Sequence, residues 1–298
     1  MSLILAEAAS DDGFFVADTL LTYKFQPLHA KGPFNGKSHA LKVHILNNHF
    51  CMAIAGEYPT GLSVVNQTAA YLREKNLIDE TVIEKINALY KQSCEKQRHP
   101  LDACDFLVMF NKSGKVFLFK ISNGIISSVE KAYIGNDQAY KQLRSLQLQY
   151  PPLPHQTSGF MQVQQENGTF KAVPFQSTEL EKNFLHISDV MERVSPYEDV
   201  AIIGNSLTRV RINKFGNFKY LQQAKRGSSP EEGDIGISLL SSTQPKYGIG
   251  IFYQSGGFGD LFIAGDTEHC RRIKSTTIDD FIKISAQDYS LTLIGATW

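Results

Sequence analysis

The order of hydrophobic periodicities along the first 213 residues constrains the fold more than any other feature of the chain. Two short apolar runs, 2–9 and 14–19, are joined by Asp11-Asp12-Gly13, a hairpin signature. A loop-like stretch at 20–39 follows. A second hairpin then runs from Leu41 to Leu46 and from His49 to Ala55, turned by Asn47-Asn48 and closed by Gly56. Leu62, Val65, Ala69 and Leu72 recur at helical spacing. Val82, Ile83, Ile86, Leu89 and Tyr90 do so again after the capping residue Asp79. Strands are expected at 104–110, 115–121 and 125–133, helices at 137–149 and 179–194, and strands at 199–203 and 207–212. The polar, proline-bearing stretch 150–178 reads as a long inserted loop holding a short hairpin. Antiparallel strands grouped between paired helices predict an α+β sandwich, two sheets face to face with helix pairs outside.

From about residue 214 the pattern changes. Gly, Ser, Pro and acidic residues at 227–236 read as a linker. Strand-like runs follow at 235–240, 247–253, 261–264 and 291–294, with Trp298 at the end. These runs are too apolar for a disordered tail and too few to stand alone. The expected organisation is a main domain over 1–224 and a β-rich extension over 225–298 that packs on it or on a partner subunit.

Thirty basic residues balance thirty acidic ones, so no global field draws nucleic acid or an anionic membrane. No window approaches the roughly 18 to 20 apolar residues of a membrane helix, and the first dozen residues, with Glu7, Asp11 and Asp12, lack the basic start of a leader. Cys51, Cys94, Cys104 and Cys270 form no CxxC, which argues against a disulfide framework or a zinc cage and points to a cytoplasmic protein. The sequon at Asn167 then carries no weight. His39, His44 and His49 are spaced by five and fit no ligand pair, Gly256-Gly257-Phe258-Gly259 reads as a hairpin turn, and no G-x-S-x-G elbow occurs. No cofactor or metal is expected.

The candidate chemistry lies at the start of the chain. Removal of Met1 would give Ser2 a free α-amine. That group titrates near 7.7 to 8.0 and can serve as the base its own hydroxyl needs. Asp18, sixteen residues on, ends the strand that returns along the first, so the hairpin brings it beside the amino terminus. Lys42, fourteen residues before Gly56, alternates with Leu41, Val43 and Ile45 and is a candidate to point into a sheet interface.

These intervals, with Ala53-Ile54-Ala55-Gly56 leading to the helix at Gly61 and the later runs Asp105-Phe106-Leu107-Val108 and Tyr133-Ile134-Gly135, resemble proteasome β-type subunits and their bacterial proteasome-like relatives. The resemblance covers about residues 2–213 and implies a four-layer αββα N-terminal-nucleophile hydrolase. In that reading Ser2 is the nucleophile and Asp18 orients Lys42. The Lys42 ammonium lowers the pKa of the nearby groups, and the backbone N–H of Gly56 serves the oxyanion. The chain departs from the family in four places. Serine replaces threonine. The loop 20–39 is longer. Ser195-Pro196-Tyr197-Glu198-Asp199 stands where an Asp-x-x-Ser-Gly-Gly stretch is usual, and Gly135-Asn136-Asp137 stands for Gly-Ser-Gly.

The expected function is therefore an N-terminal serine peptidase or amidohydrolase, acting on a peptide or amide as a homo-oligomer such as a ring, with no unfoldase specified. A rival from another class is a catalytically silent scaffold or binding protein that keeps Met1. Loss of the Lys42 side chain is expected to abolish hydrolysis and spare the fold.

Overall fold

The computed structural model describes residues 2–18, 20–21, 38–75, 79–152, 158–164, 170–194, 207–212, 215–221, 223–229, 233–242, 246–253, 256–266 and 270–294. Strand β1 (Leu3–Ala8) turns back into β2 (Gly13–Asp18), with Leu5 opposite Val16 and Ala6 opposite Phe15. A two-stranded ribbon of β3 (Leu20–Leu21) and β4 (Ser38–His39) follows. With β10 (Lys131–Gly135), β13 (Leu207–Ile212) and β14 (Phe218–Tyr220), the first hairpin builds sheet I in the order β10-β1-β2-β13-β14. Sheet II is a meander of β5 (Val43–Asn47), β6 (Phe50–Gly56), β7 (Cys104–Lys112), β8 (Lys115–Ser122) and β9 (Ile125–Val129).

Alternation along the strands sorts side chains between compartments. On β1, Leu3 and Leu5 meet Leu180, Phe184 and Ile187 of α4 (Glu179–Val194) and Leu143 of α3 (Asp137–Gln149). Ile4 and Ala6 point the other way, to a core shared with Val43, Ile45, Leu107 and Met109 of sheet II. The far face of sheet II carries Met52, Ile54, Phe106 and Val108. It is covered by Leu62, Val65, Ile83, Ile86 and Tyr90 of α1 (Tyr58–Lys75) and α2 (Glu80–Gln97). Asp79 caps α2, its carboxylate accepting from the Thr81 N–H at 3.0 Å, and Asn136 caps α3 through the Ala139 N–H at 2.7 Å.

The expectation of a two-sheet, four-layer αββα sandwich with an added extension is corrected by a third sheet, six-stranded where sheets I and II are five-stranded. Sheet III runs β15 (Gln223–Ser229), β16 (Gly233–Ser242), β17 (Gly248–Tyr253), β18 (Phe258–Ile263) and β19 (Arg271–Lys274), with β20 (Leu293–Ile294) also paired to β16. Its other face is closed by α5 (Ile278–Tyr289). The physical reason is burial: Ile249, Ile251, Tyr253 and Phe262 enter the same core as Ile45, Met109 and Val210. Among the described residues the molecule is thus three large antiparallel sheets, two two-stranded ribbons and five helices.

Three local readings change as well. The expected linker over 227–236 is an antiparallel pairing in which Gly227 lies opposite Ile235. The single strand expected over 125–133 is two strands, because at Glu130 the chain leaves sheet II, pairs through Ala8 N–H to Glu130 C=O at 2.8 Å, and enters sheet I. A helix, α5, stands between the strand-like runs 261–264 and 291–294, where no element was expected. The insertion at 150–178 carries the antiparallel pair β11 (Ser158–Gln164) and β12 (Phe170–Gln176). The strand expected at 199–203, the loop at 22–37, Asn167 and Trp298 lie outside the described residues. No helix among the described residues is long and apolar enough to cross a membrane.

Candidate active site

Asp18 closes β2 and is fully buried at 0 % exposure, as is Lys42 at 1 %. A carboxylate and an ammonium taken out of water must satisfy one another, and these do: Lys42 Nζ donates to Asp18 Oδ2 at 2.7 Å. The second carboxylate oxygen, Oδ1, accepts the N–H of Leu3 at 2.8 Å. Asp18 therefore links the lysine to the peptide that follows Ser2. Burial pushes the Lys42 ammonium below the usual lysine value, and the Asp18 carboxylate opposes that shift.

Lys42 is set immediately before β5. Its carbonyl accepts the Ile54 N–H at 2.9 Å, and the preceding carbonyl, of Leu41, accepts the Tyr58 hydroxyl at 2.8 Å. Ser2 is half-buried just before β1. The Asn136 N–H donates to the Ser2 carbonyl at 2.7 Å, so the residue is held on both sides, by Asn136 at its own carbonyl and by Asp18 at the next N–H. Gly135 makes this possible. Its φ is +106°, and a Cβ there would stand 2.0 Å from the Ser2 carbonyl oxygen.

Gly56 is exposed at the end of β6, with φ of +107° and space for no Cβ, since one would lie 2.1 Å from the Ala103 carbonyl oxygen. It pairs with Cys104, whose thiol donates to the Glu57 carbonyl at 3.0 Å; burial raises that thiol to about 12, which leaves it protonated. The structure thus joins Lys42 and Asp18 in one ion pair tied to the Ser2–Leu3 peptide, and places Gly56 at the mouth of the strand that pairs with Lys42.

The sequence reading missed the hold that Gly135 and Asn136 exert on Ser2. The signal for it was a glycine followed by a helix-capping asparagine, a pair that leaves a backbone N–H free to point outward from the cap. Asn136 stands at the position where the resemblance expects a serine, and its side chain serves as the cap of α3. The segment holding Ser195 lies outside the described residues.

Of the three histidines singled out in the sequence, His44 is fully buried, His49 is exposed with Nδ1 at 3.2 Å from the Gly216 carbonyl, and the side chain of His39 lies outside the description. Among the described residues no group of three or more His, Cys, Asp or Glu is placed to hold a metal. Cavities of about 360 Å³ beside Tyr133 and Tyr140 and about 620 Å³ beside His49 and Phe215 are not lined by Ser2, Asp18, Lys42 or Gly56. The chain matches no protein-family model and no curated protein sequence.

Proposed function

We propose that this protein is an N-terminal serine amide hydrolase in which Ser2, freed by removal of Met1, is the nucleophile. The observation that carries the reading is the buried Lys42–Asp18 pair tied by Asp18 Oδ1 to the amide next to Ser2. A buried ion pair is a weak source of stability, so its position one peptide bond from a candidate nucleophile favours a role in chemistry. The resemblance of the Ser2-to-Asp18 and Lys42-to-Gly56 intervals to proteasome β-type subunits supports the same assignment.

In the proposed reaction the α-amine of Ser2 takes the proton of Oγ as Oγ attacks the carbonyl carbon of a peptide or amide. The Gly56 N–H donates to the oxyanion, and the Lys42 ammonium lowers the cost of negative charge nearby. The protonated α-amine returns its proton to the leaving nitrogen as the C–N bond breaks. An ester on Ser2 remains, and a water activated by the same amine hydrolyses it to the acid and free Ser2.

Intact mass and N-terminal peptide mapping, before and after incubation with a peptidyl β-lactone, test this directly. A chain beginning at Ser2 with a single acyl adduct on that residue is expected, and Ser2→Ala should lose the adduct. A chain that retains Met1 and takes no adduct would overturn the hydrolase and favour a silent binding protein.

A further inference from the structure

Every edge strand of a sheet is a row of unpaired N–H and C=O groups, and proteins block such rows with charges, short strands or covering side chains. Sheets I, II and III each follow this at their described edges, with one exception. The β10 edge is closed by Lys120, whose Nζ donates to the Tyr133 carbonyl at 3.2 Å. The β5 edge is closed by the Tyr220 hydroxyl, which donates to the Val43 carbonyl at 2.9 Å and accepts the Ile45 N–H at 3.2 Å. Strand β14 is three residues long, β19 reads Arg-Arg-Ile-Lys, and β15 carries Lys225 and Arg226. Strand β9 reads Ile-Ile-Ser-Ser-Val, with no charge and no proline, and Ile125 is 66 % exposed.

The turn that precedes β9 determines which of its groups are open. Asn123 and Gly124 have φ of +51° and +70°, a two-residue turn of the kind that makes Ser122 and Ile125 a hydrogen-bonded pair. Pairs alternate from there, so Lys120–Ser127 and Leu118–Val129 are also bonded across the ladder. The N–H and C=O of Ile126 and Ser128 consequently point away from β8.

We propose that β9 is the docking edge for a second copy of this chain, pairing antiparallel with its own counterpart about a two-fold axis at Ser127. This register brings Ile126 opposite Ser128 of the second copy and uses all of the open groups in about four hydrogen bonds. It lays Ile125 against Val129 of the second copy. It also places Glu130 opposite Gly124 of the second copy, the residue against which the Lys91 side chain lies, with its Cε 2.8 Å from where a Cβ would stand. Glu130 and Lys91 are both exposed, so the axis creates two complementary charge contacts. The two five-stranded copies of sheet II become one continuous sheet, an isologous contact of the commonest symmetry. The inference is independent of the chemistry at Ser2.

Sedimentation equilibrium over a micromolar to sub-millimolar series is the first test, with a dimer of the 33.3 kDa chain expected. Ser128→Pro removes only an outward N–H and should yield monomer with unchanged circular dichroism and a melting temperature that no longer rises with protein concentration. Ser127→Cys sits at a non-bonded pair, where Cα atoms approach to about 4.5 Å, and should give a reducible covalent dimer under mild oxidation. Glu130→Lys should weaken the dimer, and Glu130→Lys with Lys91→Glu should restore it. If Ser128→Pro does not fold, the cysteine cross-link and the charge exchange decide. A monomer at every concentration, or an assembly untouched by Ser128→Pro and by the charge exchange, would overturn the proposal.

Discussion

At Lys42 the proposed role in chemistry and a role in stability meet in one side chain. An active-site lysine alone would be expended without harm to the fold, which is the expectation from the sequence. Complete burial changes this, because removing Lys42 leaves the Asp18 carboxylate in the core without its counter-charge. Lys42→Met should therefore cost about 3 to 5 kcal/mol as well as activity. In Asp18→Asn/Lys42→Met, the asparagine oxygen still accepts the Leu3 N–H and no charge is left behind, so much of that stability should return without activity. Urea denaturation of the wild type, both single variants and the double variant checks this; strictly additive costs would show that the two residues do not act as a unit. His44 supplies a pH dependence. Burial lowers its pKa to about 4, partly opposed by the nearby Leu41 carbonyl, and its Nδ1 accepts the Gly265 N–H at 3.4 Å. The folded pKa is below the unfolded value of about 6.5, so the unfolded chain binds more protons between those limits and stability falls as pH falls. Between pH 7 and 4 the wild type should lose about 3 kcal/mol more than His44→Gln in urea titrations. Parallel curves would refute it.

Among the elements, α5 shows how a helix selects the strands it covers. Phe281 is fully buried against sheet III between Gly250 and Gly259, where a Cβ would lie 2.7 and 2.5 Å from its ring. Two strands give up side chains so that one aromatic ring can be close-packed. Phe281→Ala should cost about 3 to 5 kcal/mol, and Gly259→Val, which fills the same space from below, should also destabilise. Denaturant midpoints measure both; a loss below about 1 kcal/mol for Phe281→Ala would mean that α5 is not docked through this ring. The helix was legible in principle: Thr277 caps it, Asp279 and Asp280 follow, and Ile278, Phe281, Ile282 and Ser285 share a face. It was obscured by apolar runs on either side that suit strands. The opposite holds for β15, whose Gln-Ala-Lys-Arg-Gly-Ser-Ser carries no strand periodicity and is ordered by the ladder to β16.

For the whole molecule, the shared core sets cooperativity. Ile249, Ile251, Tyr253 and Phe262 of sheet III pack with Ile45, Met109 and Val210, and the Tyr247 hydroxyl bonds the Asn48 side chain, so sheet III is a wall of the common interior. Thermal and urea unfolding should show one transition, with near- and far-ultraviolet circular dichroism coincident. A chain ended after Leu221 would expose that interior and should aggregate or lose its sharp melt. A soluble fragment with a cooperative transition would show instead that sheets I and II form a self-sufficient body.

What the sequence determined by itself was local. Periods of two and 3.6, capping residues and turn residues specify the hairpins and helices over 2–212, because each depends on neighbours within a few positions. The approach of Asp18 to the amino terminus was legible for the same reason, since a short hairpin turn brings its ends together. The tertiary structure decided everything that needs two distant segments at once. Burial of Lys42 depends on β5 being closed over by sheet I. The break at Glu130 depends on an edge of sheet I being open to receive β10, and the rank of sheet III as an equal third layer depends on which apolar faces find one another. Hydrophobic contact has no direction and no sequence code beyond apolarity, so those pairings are chosen only when the whole chain packs.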